Sequence, residues 1–259
     1  MKKKRYECTK GLTGRGINYS VYKLKTSEFI IGAMLGVIVG FLICMIFFES
    51  ALCGVIVGSL SIFISVPAYR KYLKKRRMKY LLIQFRDFLE SLSNSLSTGQ
   101  NISMAISSVY YDMVMQYGEK SLIAIETKNV LNGMRNNNTA ENMVMDFAER
   151  SGQDDIQSFA ETFQICNRMG GNIKNIISET YRIIREKMIM EKEIAAIASG
   201  GKNELMIMTC MPFIIVPMLK TLGDSDISGN NLITIIVRVI GIVIIGTAYI
   251  IGRKISDIT

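Results

Sequence analysis

Apolar runs at both ends of the chain bracket a long stretch of mixed polar and apolar residues, and that split sets the architecture. Phe29 to Phe48 is free of charge, and Ala51 to Pro67 follows after only Glu49 and Ser50. Leu205 to Leu219 and Leu232 to Gly252 form a second pair. A bilayer core of ~30 Å needs roughly 20 apolar residues per helix. The Leu205 run is short and carries Pro212 and Pro217, so it spans only if the preceding helix continues into it. The expected order is a basic tail (1–28), a transmembrane hairpin (29–67), a helical domain (68–204), a third span (205–219), an outer loop (220–231), a fourth span (232–252) and a short tail (253–259).

Charge orients this arrangement. The net charge is +9, but Tyr69 to Tyr80 alone holds seven Lys/Arg and no acid, whereas acids outnumber bases from Leu81 to Glu204. Lys/Arg beside a span mark the cytoplasmic side. Both termini and the 68–204 domain are therefore expected in the cytoplasm of a multi-pass cell-membrane protein, with Glu49 and Gly223 to Asp226 outside. Juxtamembrane Lys/Arg attract anionic lipid at ~1 kcal/mol each, which accounts for the basic clusters without a nucleic acid. Arg238 is the one charge within a span: it either serves a function or snorkels to the interface.

Several chemistries are excluded. Histidine is absent, which removes the usual general base and any Ser-His or Cys-His pair. Cys8, Cys44, Cys53, Cys166 and Cys210 are odd in number and lack CxxC spacing, so neither a zinc site nor a disulfide framework is indicated. Gly201-Lys202 has Ala196 and Asn203 where a phosphate loop needs Gly and Ser/Thr. Gly11 to Gly16 is glycine-rich, but no strand or helix is expected to frame it. No catalytic residue, metal or cofactor is expected.

The 68–204 stretch reads as six helices, all-α without strand alternation. The stripes are Leu81 to Leu96, Ile102 to Tyr117, a weaker one over Glu119 to Met134, Ala140 to Ala148 with Thr139 as N-cap, Ile156 to Phe163, and Ile173 to about Ala198. The last is expected to stop at Ser199-Gly200-Gly201. Two tight turns reverse the chain. In the first, Gly99 suits a left-handed cap and Asn101 caps the next helix. Gly170, Gly171 and Asn172 repeat the pattern 71 residues later (101 to 172), where Phe88/Phe159, Ile102/Ile173, Ile106/Ile177 and Tyr110/Tyr181 also match. The pattern suggests a duplicated helical hairpin. Convergent capping of two tight helical hairpins is the other explanation.

Three segments carry a family resemblance: Gln84 to Asn101, Phe163 to Ile173 and Gly200 to Pro212. They resemble the type II secretion system F-domain of inner-membrane platform proteins, especially the B-type platform proteins of tight-adherence (Tad/Flp pilus) machines. The resemblance covers about 65 to 250, with Leu96, Gly99 and the Gly170-Gly171-Asn172-Ile173 turn its most specific matches. The chain departs from the family at Arg168 and Gly200, where an acidic residue is usual.

The resemblance implies a non-enzymatic platform that couples a secretion or pilus assembly ATPase to extraction of pilin subunits. It also implies pairing with itself or a paralogous platform protein. The acids Glu141, Asp146, Glu149, Asp154 and Asp155 crowd one stretch against Arg150. Of these, Glu141, Glu149, Asp154 and Asp155 are candidate motor contacts, although a solvated face is the commoner explanation for such a run. A small transporter or channel, or a signalling module, is the alternative. Few ionisable residues in the spans speak against transport.

Overall fold

The computed structural model describes residues 8–11, 14–17, 19, 26–48, 51–168 and 172–222, with 240, 241, 244, 246 and 247 beyond them. Strands β1 (Cys8–Gly11) and β2 (Gly14–Ile17) precede helices α1 (Thr26–Phe48), α2 (Ala51–Ser97), α3 (Ile102–Tyr117), α4 (Leu122–Arg135), α5 (Ala140–Ser151), α6 (Asp154–Arg168) and α7 (Ile173–Leu222). Among the described residues the fold is helical apart from this hairpin. The chain divides into two compact units, Met1–Lys25 with Arg70–Met188, and Thr26–Tyr69 with Ile189–Thr259.

The hairpin corrects the expectation that nothing frames the glycine-rich stretch. β1 and β2 pair antiparallel from Cys8↔Ile17 to Gly11↔Gly14. A hairpin this short is held by cross-strand backbone bonds. Thr9, Lys10, Arg15 and Gly16 therefore show none of the apolar alternation that flags a half-buried strand.

In the first unit the expected stripes build one core. Leu81, Phe85 and Leu89 of α2 meet Ile106 and Val109 of α3, Met143 and Phe147 of α5, Ile156 and Phe159 of α6, and Ile177 and Ile184 of α7. The Phe85 ring stacks on Phe88 at 6.0 Å, tilts against Phe147 at 6.1 Å and meets the Phe159 edge at 5.5 Å. A fully buried ring of this kind contributes ~1.5–3 kcal/mol by area, with about 0.5–1.5 kcal/mol more for each well-placed aromatic pair.

Caps delimit the elements. Asn101, Ser121 and Thr139 accept hydrogen bonds from Met104, Ala124 and Asn142 N–H and start α3, α4 and α5. Wholly buried Gln84 adds a second anchor at the start of α4, accepting from Ile123 N–H at 3.2 Å.

In the second unit, α1 is the one described helix long and apolar enough to cross a membrane, with a mean hydropathy of 2.8 over Thr26–Ile46. It packs on the first part of α2 through small residues. A Cβ on Gly36 would lie 2.8 Å from Ser65 Cβ, and one on Gly40 2.9 Å from Gly58 Cα. Ser65 Oγ donates to Gly32 O at 2.6 Å. Gly32, Gly36 and Gly40, four apart, form the small-residue ridge that lets helices approach closely in lipid. Chain reading by hydropathy alone overlooks it, because glycine scores as neither polar nor strongly apolar.

The stop expected at Ser199-Gly200-Gly201 is not there; α7 runs through to Leu222. Each interior glycine costs ~1 kcal/mol relative to alanine. Neither glycine takes a positive φ, so no left-handed turn ends the helix and it runs across both.

Candidate functional site

The two turns singled out by sequence come together. Gly99 has φ +84, the left-handed region a helix C-terminus uses. Asn101 Oδ1 accepts from Met104 N–H at 2.9 Å, and Asn172 Oδ1 accepts from Asn175 N–H at 3.3 Å. Gly170 and Gly171 lie outside the described residues, as does Arg238. Leu96, Asn101 and Ile102 of the first turn, and Ile173 and Lys174 of the second, line one open cleft of about 650 Å³, which Thr139 and Glu141 help to close. Burial is also paired across the 71-residue offset. Phe88 and Phe159 are 6% and 2% exposed, Ile106 and Ile177 2% and 0%.

The acidic stretch does not form one face. Glu141 is buried at the cleft. Asp146 is bound to Arg150, and Asp155 accepts from Lys187 Nζ at 2.8 and 2.9 Å. Gly152, at φ 62 in the turn between α5 and α6, redirects the chain between them. Glu149 and Asp154 remain exposed to solvent. Composition along the sequence counts these acids together, whereas helical periodicity and the turn send them to different surroundings.

A buried ionic cluster lies elsewhere in this unit, and sequence reasoning missed it. Arg150 grips Glu126 through two parallel hydrogen bonds of 2.9 and 2.7 Å and also holds Asp146, with its Nε 2.9 Å from Oδ2. Tyr19, 1% exposed, donates its hydroxyl to Glu126 Oε1 at 2.7 Å. Its backbone N–H donates to Arg150 O at 2.9 Å. Phe147 meets the Tyr19 ring edge-on, and the Arg77 guanidinium lies 4.9 Å from its centroid.

Burial, then the charge and hydrogen bond of Glu126, push the Tyr19 pKa well above 10.0. Burial alone would lower the Arg150 pKa, but Glu126 and Asp146 outweigh it and hold the guanidinium charged. A hydrogen bond to a charged group is worth ~1.5–3 kcal/mol net. No spacing rule joins residues 107 apart, so no local signal announced this contact.

A second, polar cleft of about 510 Å³ lies along α2 and α3. Asp87 takes hydrogen bonds from Arg86 and the Tyr117 hydroxyl, and Ser91 donates to Asp112. Burial and the Asp87 contact raise the Tyr117 pKa. With no histidine in the chain, the Ser91–Asp112 pair is not part of a Ser-His-Asp triad. Among the described residues no group of three His, Cys, Asp or Glu could hold a metal, and Cys166 and Cys210 are free thiols.

No protein-family model, curated protein or solved structure matches the chain.

Proposed function

We propose that this chain is the membrane platform protein of a type IV pilus-like (Tad/Flp) assembly or a type II secretion system, coupling a separate cytoplasmic ATPase to pilin extraction and filament growth. The observation that carries the proposal is helix continuity. α2 begins in an apolar stretch and ends at the Gly99 turn of the bundle, and α7 begins at the other turn and ends in an apolar stretch, neither broken. A continuous helix passes a push or twist along its axis, where a flexible loop would absorb it. That is a property a force-transmitting platform needs and a soluble helical domain on a simple anchor does not.

In this reading Phe29–Phe48, Ala51–Pro67, Leu205–Leu219 and Leu232–Gly252 are four spans, and the bundle faces the cytoplasm. Phe29, Ile30, Met34 and Leu35 of α1 are about half exposed, a surface suited to hydrocarbon rather than water. The chain itself is non-enzymatic, and the partner supplies ATP hydrolysis. Exposed Glu149 and Asp154 are offered to basic side chains of the motor, an attraction that weakens with salt. The tight Gly36–Gly40 seam supports a helical hairpin that moves as one body.

The test is genetic and biochemical. Deleting the gene should abolish filaments, and the purified full chain in nanodiscs should bind the hexameric ATPase of the same machine without hydrolysing ATP alone. Filaments persisting after deletion would sink the proposal. Charge reversal at Glu149 and Asp154 should weaken ATPase binding while the protein stays folded; unchanged binding removes those two residues from the interface.

A further inference from the structure

Among the described residues four charged side chains are buried, Asp87, Glu126, Glu141 and Arg150. Three of them have partners: Arg150 binds Glu126, and Asp87 binds Arg86 and the Tyr117 hydroxyl. Glu141, 8% exposed, takes no hydrogen bond or ion pair from any described residue. We propose that the cleft between the two turns is a peptide-binding site, in which Glu141 receives the Lys or Arg side chain of an apolar segment from a partner protein.

The carboxylate and the walls point to the same occupant. Glu141 stands in the first turn of α5, where the helix N-terminus favours a negative charge but brings no counter-ion. A carboxylate this sheltered is ordinarily paired. Its side chain lines the open cleft of about 650 Å³, so a cation can reach it from solvent. An ammonium or guanidinium brings only donors, which is what an ionised carboxylate lacks here. Leu96, Ile102, Met134, Ala140 and Ile173 line the same space, and these walls suit apolar side chains on either side of the basic one. The volume lies within the roughly 300–1,000 Å³ of ligand-binding clefts. A bare metal ion fits poorly, since among the described residues no group of three His, Cys, Asp or Glu stands together. Lys174 also lines the cleft, but it is exposed and no ion pair joins it to Glu141, so it leaves the carboxylate open to an incoming cation. The proposal needs only the bundle and does not rest on the platform reading.

The experiment pans a phage-displayed random heptapeptide library against the full chain in nanodiscs of zwitterionic lipid, after depletion on empty nanodiscs of the same lipid. Enriched peptides should carry Lys or Arg beside apolar residues. A fluorescent synthetic copy of the most enriched peptide should bind saturably. Replacing its Arg by citrulline, or its Lys by norleucine, should weaken binding at least about tenfold, as loss of a charge-assisted hydrogen bond implies. Glu141→Gln should weaken the unaltered peptide to a similar degree while the protein stays helical by circular dichroism. Ser103 is exposed at the start of α3 and lines the cleft, so Ser103→Trp should block the peptide without touching the carboxylate. Lys174→Ala should bind at least as well as the parent. No enrichment over empty nanodiscs, or enriched peptides without a basic residue, would overturn the proposal. So would full binding by Ser103→Trp, or by a folded Glu141→Gln. Should Glu141→Gln fail to fold, the neutralised peptide and Ser103→Trp still decide the matter. ATPase binding and filament assembly are scored separately, so failure here leaves the platform reading standing, and the converse also holds.

Discussion

Tyr19 makes the buried cluster measurable through pH. Its charged and titratable neighbours are Glu126 of α4, Asp146 and Arg150 of α5 and Arg77 of α2. In the unfolded chain tyrosine ionises near 10.0, whereas in the fold burial and Glu126 keep it protonated. A raised folded pKa means the contribution is fully present below pH 10 and is lost as pH rises beyond it. We predict urea midpoints that hold up to about pH 10 and fall above it, with a shallower fall in Tyr19→Phe. Tyr117 shares the upward shift, so the comparison between the two proteins isolates Tyr19; equal slopes would mean the cluster does not hold its proton.

Two arginines give a sharper contrast, since each binds two carboxylates. Arg150 is 7% exposed and Arg182 58%. Arg150→Ala strands a buried Glu126 and should cost about 3–5 kcal/mol. Arg182→Ala should be near neutral, because solvent already screens its pairs. Chemical denaturation of both variants decides the point.

At the scale of elements, the α4–α5 contact is set by Gly133. A Cβ there would lie 2.2 Å from Met143 Sδ, so the wholly buried Met143 side chain would have to shift within the core. Gly133→Ala should therefore cost about 1–3 kcal/mol by overpacking. Gly99 is the opposite case. Nothing lies within 4 Å of its would-be Cβ, so Gly99→Ala tests the positive φ alone and should cost about 1–2 kcal/mol. If the two hairpins are copies, Gly170→Ala should cost a similar amount; a neutral Gly170→Ala would break the equivalence.

Helix starts were legible because an N-cap is a local hydrogen bond, as Asn101 and Thr139 bear out. The end of α7 was not legible. Whether Gly200 and Gly201 stop a helix depends on a competing cap, not on glycine itself.

For the whole molecule, the charge asymmetry predicts that cysteines placed at Ser93 and Lys254 label only from the cytoplasmic side, and one at Ser228 only from outside. Labelling of Ser93 from outside would overturn the orientation. Hydropathy and 3.6-residue periodicity depend only on neighbouring residues. The sequence alone therefore determined the apolar ends, the helical middle and most of the core from Leu81 to Met188, though not Leu89 or Ala124. Tertiary structure alone decided which polar groups meet. It buried Glu141 and left Glu149 in solvent, tied Asp155 to Lys187, brought the Asn101 and Asn172 turns to one cleft, and set Tyr19 on Glu126. Those pairings join residues far apart in the chain, and their strength comes from shared exclusion of water, which no local pattern records.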